Sequence, residues 1–185
     1  GLPLKPAVLA TPLALALVLA ALSACRGLAH PPLRTVPSVD LGRFMGDWYV
    51  IACIPTFLEK DIANAVESYR LEPDGTVATT FTYRKGGVDG PEKRMTPRGF
   101  VLDRTSNAVW GMRFVWPIKA DYRIIHLDPD YRVTVVAREK RDYAWIMART
   151  PALLPAEYDA MVRLLSEAGY DVTQVRKVPQ SWSRP

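Results

Sequence analysis

Gly46-Asp47-Trp48-Tyr49-Val50-Ile51-Ala52-Cys53-Ile54 opens a run in which Trp48, Val50, Ala52 and Ile54 alternate with Tyr49, Ile51 and Cys53. A period of two puts successive side chains on opposite faces of an extended strand. The same period recurs for about a hundred residues beyond this point, which argues for an all-β domain rather than for helices.

The runs after the first are Val66–Leu71, Thr76–Arg84, Thr96–Leu102, Val109–Val115, Tyr122–Leu127, Arg132–Arg138 and Tyr143–Arg149. Pro73-Asp74-Gly75 separates the second from the third, and an Asp-Gly between alternating runs is a strong hairpin signal. Gly86-Gly87-Val88-Asp89-Gly90-Pro91, Asp103-Arg104-Thr105-Ser106-Asn107, Trp116-Pro117 and Asp128-Pro129-Asp130 punctuate the others. Short strands joined by tight turns predict an eight-stranded up-and-down antiparallel β-barrel. Such a sheet closes to remove its edges, and about eight strands leave a lumen for one small ligand. Tyr158, Met161, Val162, Leu165 and Ala168 fall at helical spacing between Pro155 and Gly169. That C-terminal α-helix needs cover for its apolar face, and the outside of the barrel offers it. The tail Val172–Val175 is expected to add a short strand.

Residues 1–24 do not belong to this domain. Lys5 is followed by an apolar run from Ala7 to Ala21 and then Leu22-Ser23-Ala24-Cys25, the pattern of a secretory signal. Its alanine-rich run is short for a membrane span, which takes roughly 20 apolar residues. A cysteine after Leu-Ser-Ala resembles a bacterial lipobox, in which Cys25 is acylated. The alternative is ordinary cleavage near Ala24. Residues 25–37, with Pro31, Pro32 and Pro37, form an extended tether, and 38–185 the barrel with its helix and tail. If Cys25 carries lipid, Cys53 is a lone packing thiol and there is no disulfide framework.

The net charge of +5 is mild. No basic block with interleaved aromatics suggests nucleic acid, so an anionic membrane surface is the better neighbour. The only histidines are His30 and His126, and no Cys/His cluster has metal-ligand spacing. No glycine loop precedes a helix for phosphate, and no serine sits in a nucleophile elbow. Nothing calls for a cofactor.

Arg43-Phe44-Met45-Gly46-Asp47-Trp48-Tyr49, Asp128-Pro129-Asp130-Tyr131 and Asp142-Tyr143-Ala144-Trp145-Ile146-Met147-Ala148-Arg149-Thr150-Pro151 resemble, in order and spacing, the three motifs of the lipocalin family. The resemblance runs from Val39 to the C-terminus. It is strongest toward bacterial outer-membrane lipocalin lipoproteins, which are similar to apolipoprotein D. Pro129 and Asp130 depart from the second motif, a matter of local turn geometry. The resemblance implies that Gly46, Trp48 and Arg149 form a closed end, with the guanidinium across the indole. It also implies an apolar ligand, a fatty acid such as palmitate or a lysophospholipid, held for storage or transport. An outer-membrane anchor facing the periplasm would follow.

With Trp48 and Arg149 setting the phase, alternation and the family pattern place Val50, Ala52 and Ile54 inward on the first strand and Trp145 and Met147 on the last. Glu67 and Tyr69 then face Val77, Thr79, Phe81 and Tyr83, while Trp110, Met112 and Phe114, and Tyr122, Ile124 and His126, complete the wall. A slip of one residue would swap any of these sets to the other face. Several of these aromatics carry hydroxyls or an indole N–H, which suits an acyl chain with a polar end better than a dry core.

At the open end, Arg84, Lys85, Lys93, Arg94, Lys119, Arg138, Lys140 and Arg141 are offset by Glu59, Asp61, Asp89, Glu92, Asp121, Glu139 and Asp142. These charges form either a solvated rim or a headgroup contact. Phe57, Leu58, Trp116 and Ile118 on the same rim suit a membrane contact or a homodimer. Binding is the favoured reading and the chain is not expected to be an enzyme. The alternatives are a lumenal lipid-modifying activity using Glu67, Tyr83 or His126, and an envelope scaffold without a ligand.

Overall fold

The computed structural model describes residues 30–56 and 60–182. The expected signal segment, Cys25, and Phe57, Leu58 and Glu59 lie outside the described residues. A short helix α1 (Leu41–Phe44), capped by the Asp40 carboxylate accepting from the Arg43 N–H at 3.1 Å, leads into the sheet. Its strands are β1 (Gly46–Ile54), β2 (Ile62–Leu71), β3 (Thr76–Lys85), β4 (Glu92–Met95), β5 (Arg98–Val101), β6 (Val109–Val115), β7 (Ile118–Leu127), β8 (Val133–Ala137), β9 (Ala144–Ala148) and β10 (Arg176–Lys177). Sequence neighbours pair antiparallel around the sheet, and β9 pairs with β1 to close it.

The result is a closed eight-stranded antiparallel barrel with two additional short strands, β4 and β10, and one C-terminal helix α2 (Pro155–Glu167). Where one run over Thr96–Leu102 is expected, β4 and β5 both pair with β3. Pro97 between them has no N–H to give to a ladder, but its carbonyl still accepts from the Thr79 N–H at 3.1 Å. The tail strand also lies further on than expected. Asp171 accepts from the Thr173 N–H at 3.1 Å, which winds Val172–Gln174 into a single tight turn and delays pairing with β1 to Arg176–Lys177.

Four registers slip by one residue, β6–β7 near its tip between Met112 and Val115 and three others that decide which side chains face the lumen or bind the tail. On β1, Val50 pairs with Met147 but Ala52 pairs with Ile146, so Ile51 is an extra residue. Val50 and Cys53 consequently face in. Ala52 and Ile54, expected inward by strict alternation, instead pack in the cluster outside the barrel. On β2 the extra residue falls at Asn64, whose φ is +48° and whose side chain and backbone bind Ser181 and Pro179 of the tail. On β7, Ile124 pairs with Val136 but His126 with Val135. Val135 belongs to the outer cluster, so His126, expected inward with Tyr122 and Ile124, shares the outer face.

Two apolar clusters result. The inner one fills the lower barrel around Phe44, Trp48 and Trp110, all fully buried. The outer one joins Ile51, Ala52, Val135, Ala144 and Ile146 to Leu165, Met161 and Tyr158 of α2. Pro155 starts that helix, Glu157 accepts from the Leu154 N–H at 3.1 Å, and Gly169 at φ +91° ends it. No helix among the described residues is long and apolar enough to cross a membrane.

Candidate functional site

One end of the barrel is capped. The Arg149 guanidinium carbon lies 3.8 Å from the Trp48 ring centroid. Its Nη1 donates to the Asp47 carbonyl at 2.8 Å, and Nη2 to the carbonyls of Arg43 at 2.8 Å and Met45 at 2.9 Å. Nε donates to the Tyr131 carbonyl at 3.2 Å. A planar fork with five donors suits several carbonyls at once. Gly46 lies at φ +93°, where a Cβ would stand 3.4 Å from Arg149 Nη1. Tyr131 also belongs to this cap: its hydroxyl accepts from the Asp40 N–H at 2.9 Å and Arg43 stacks on its ring at 4.0 Å. The Asp128–Tyr131 turn, despite its extra proline, therefore serves the cap.

Above the cap lies an aromatic floor. Trp110 and Tyr122 stack with centroids 5.0 Å apart, Phe44 meets Trp110 edge-on at 5.6 Å, and Tyr69 meets it edge-on at 5.8 Å. The indole N–H of Trp48 donates to the Phe44 carbonyl at 2.9 Å and that of Trp110 to the Asn107 carbonyl at 2.7 Å. The Tyr69 and Tyr122 hydroxyls are 2.8 Å apart, and burial holds both phenols well above the ordinary tyrosine range.

The lumen above this floor holds a cavity of about 220 Å³. Of the residues the sequence points to, Glu67, Tyr69, Phe81, Met112, Phe114, Tyr122, Trp145 and Met147 line it. Val50, Trp110, Ile124, Thr79 and Tyr83 are buried but stand outside that lining, the Tyr83 ring lying tilted against Phe81 with centroids 5.0 Å apart. Ala52 is not in the lumen at all. The cavity also takes Thr56, Met95, Ala120, Asp121, Val136, Arg138 and Tyr143, which the sequence reading does not assign to the wall. Val136 and Arg138 were legible in principle, because Val136 pairs with Trp145 and Arg138 is two residues further on. Met95 and Ala120 lie on strand segments that the alternating runs do not include.

Arg138 is the cation of the rim that reaches the cavity. Its side chain is 18% exposed, its Nη1 is 3.5 Å from Asp142, and its guanidinium lies 4.9 Å from the Tyr143 ring centroid. Its Nε is buried without a hydrogen-bond partner. The Tyr170 hydroxyl fixes this corner, accepting from the Arg138 N–H at 2.8 Å and lying 3.0 Å from the carbonyls of Arg138 and Tyr143. Burial pushes the Tyr170 phenol up to about 12. Other rim cations turn away. Arg84 donates to the Gly90 carbonyl, Lys119 sits over Phe100, and Arg141 holds Ala168 and Glu139. The groups considered for lumenal chemistry do not converge, since Tyr83 is outside the lining and His126 is on the other face. Burial lowers the His126 pKa, opposed by Asp128. No cluster among the described residues could hold a metal ion.

A barrel sealed at one end by an arginine on a tryptophan, with an apolar lumen above, defines a small-ligand-binding β-barrel. Residues 39–180 match the lipocalin-like domain family, and the chain belongs to it. It is 28% identical over 165 residues to temperature-induced lipocalin-1 of Arabidopsis thaliana, covering 83% of this chain and 86% of the relative. It is 28% identical over 155 residues to outer membrane lipoprotein Blc of Escherichia coli, covering 83% and 87%. Apolipoprotein D of Bos taurus is 25% identical over 156 residues, covering 79% and 78%. Among solved structures, insecticyanin from the tobacco hornworm Manduca sexta superposes with a TM-score of 0.64 at 15% identity, covering 83% and 86%.

Proposed function

We propose that the protein binds one long-chain fatty acid, such as palmitate, or one lysophospholipid in the barrel lumen, its polar end toward the open mouth. It does so for lipid storage or transport in the cell envelope, anchored to the outer membrane through Cys25 and facing the periplasm. The observation that carries this reading is an apolar cavity with an orphaned arginine donor, Arg138 Nε, in its wall. A volume of about 220 Å³ favours a single narrow chain over the bulkier ligands of pockets in the range of about 300–1,000 Å³. Among the rim cations the headgroup contact is then Arg138, which lines the cavity. The relative named an outer membrane lipoprotein supports the anchor.

Phe114, Val115, Trp116 and Ile118 are 51%, 69%, 77% and 71% exposed at the tip of the β6–β7 hairpin. With Phe114 also in the cavity wall, this tip supports a membrane contact beside the mouth, with a homodimer as its other use. Binding without catalysis is the favoured reading, given that Glu67, Tyr83 and His126 stand apart.

The test is displacement of a fluorescent acyl probe by fatty acids of increasing length. Each buried methylene is worth about 0.8 kcal/mol, so affinity should climb until the lumen is full. A response flat with length, or equal binding by folded Phe81→Asp and Trp145→Asp variants, would remove the lumen as the site. Native mass spectrometry separates the other readings: chemically altered lipid would indicate an enzyme, and an empty barrel a scaffold.

A further inference from the structure

The barrel wall is not laddered to the same height all round. β5 pairs with β6 from Val101 opposite Trp110 up to Arg98 opposite Arg113, and there the ladder stops. From that point toward the mouth, among the described residues, β4 has β3 as its only strand partner and β6 continues with β7 alone. Pro97 stands where the strands diverge. It has no N–H for a ladder, and its carbonyl accepts from Thr79 on β3. The mouth halves of β4 and β6 therefore leave a gap in the side of the barrel.

The lumen reaches this gap, since Met95 on β4 and Phe114 on β6 both line the cavity. Exposure changes along one face of β6 where the ladder ends. Met112, opposite Gly99, is 4% exposed, whereas Phe114, two residues on, is 51% exposed. Across the gap Met95 is partly exposed, although Phe81, its partner on β3, is buried. Side chains that both line the cavity and meet solvent mark an opening in the wall at that height.

The outside of the gap suits a lipid surface. Val115, Trp116 and Ile118 extend the apolar lip from Phe114. Lys93 and Arg94 are exposed on the β4 lip and Lys119 on the β7 side, against the carboxylate of Glu92. A positive flank around an apolar tip matches anionic headgroups above an acyl layer. A chain that left a bilayer through water would expose all its methylenes. A gap with an apolar lip lets it pass from one apolar medium to another.

We propose that acyl chains enter the lumen sideways from an anionic phospholipid surface, through the gap between β4 and β6, with the β6–β7 tip embedded in that surface. This inference rests on the lumen as the acyl site and adds the route and the partner that supplies the chain.

Transfer of a fluorescent fatty acid from vesicles to the Cys25→Ala protein, which has no anchor there, provides the test. The vesicles contain phosphatidylcholine with or without phosphatidylglycerol. The transfer rate should rise with vesicle concentration and with phosphatidylglycerol, and fall with added salt. Val115→Asp should slow it about ten-fold or more, because a charge must then enter the acyl boundary. Thr96→Cys and Val115→Cys, joined across the gap by a bifunctional maleimide, should slow it several-fold relative to the unjoined variant. Cys53, 2% exposed, is shielded from the reagent. Equilibrium affinity for the same fatty acid delivered from water should stay within about two-fold in both variants, since neither position lines the cavity. Undiminished transfer in the joined protein would make the mouth the route and overturn the proposal, leaving the lumen as the acyl site. A rate independent of vesicle concentration or of phosphatidylglycerol would overturn it equally. A dimer that hides the tip from vesicles would assign the gap to a second copy and overturn it. Absence of binding from either source would overturn this proposal and the acyl-binding reading together.

Discussion

The Arg149 guanidinium lies 3.8 Å over the fully buried ring of Trp48 and donates to the carbonyls of Arg43, Met45, Asp47 and Tyr131. One side chain thus joins β1, the segment before it and the turn before β8. Arg149→Ala removes a partly desolvated cation–π contact and leaves several carbonyls without a donor. The expected loss is about 1–3 kcal/mol of stability, read by denaturant unfolding. Arg149→Lys should recover little, because a point charge cannot fork between carbonyls. A variant that unfolds with the parent would show that the pair does not act as a structural plug.

Arg138 tests the polar end of the site. Arg138→Gln should weaken fatty-acid binding while leaving the corresponding methyl ester nearly unaffected, and should flatten the dependence of affinity on salt. Titration of both ligands at two ionic strengths checks this. An equal loss for acid and ester would return Arg138 to a purely structural role.

Ala52 separates packing from binding. It is fully buried between the barrel and the outer cluster, so Ala52→Leu should overpack that layer at about 1–3 kcal/mol. Acyl affinity should stay within about two-fold, since the added side chain points away from the lumen. A large change in affinity with little change in melting temperature would mean that Ala52 faces the ligand after all.

Alkaline pH should destabilise the fold through Tyr69, Tyr122 and Tyr170. Each phenol is raised above its ordinary value of 10.0, to about 12 for Tyr170. Above pH 10 the unfolded chain releases these protons while the native one keeps them, so stability falls as pH rises. Below pH 10 these groups contribute no slope. Urea unfolding between pH 8 and pH 12 should lose this slope in part in Tyr170→Phe.

Cys25→Ala should release the protein from membranes in cell fractionation if Cys25 carries the anchor. Persistence in the membrane pellet would leave the exposed β6–β7 tip as the attachment, and Trp116→Ser would then be expected to solubilise it.

The barrel is legible in the residue pattern alone. Period-two alternation, Asp-Gly at the β2–β3 turn and the Gly46–Trp48–Arg149 spacing are local or pairwise signals that survive without knowledge of packing. The same holds for α2, whose apolar stripe and terminal Pro155 and Gly169 lie in one continuous stretch. Much of the cavity wall followed too, because pairing carries one strand's phase to the next.

Packing across the closed sheet sets the rest. Bulges at Ile51 and near Ile125 add one residue each, and a period of two converts one residue into a change of face. Ala52, Ile54 and His126 were therefore turned out, and Cys53 was turned in. Arg138 is one cation among many in the sequence. What distinguishes it is where its neighbours leave it: against Tyr143, held by Tyr170, with Nε facing no acceptor. The 2.8 Å contact between the Tyr69 and Tyr122 hydroxyls likewise joins β2 and β7, which meet only across the lumen. Closeness between distant strands is a property of the closed barrel rather than of any local pattern.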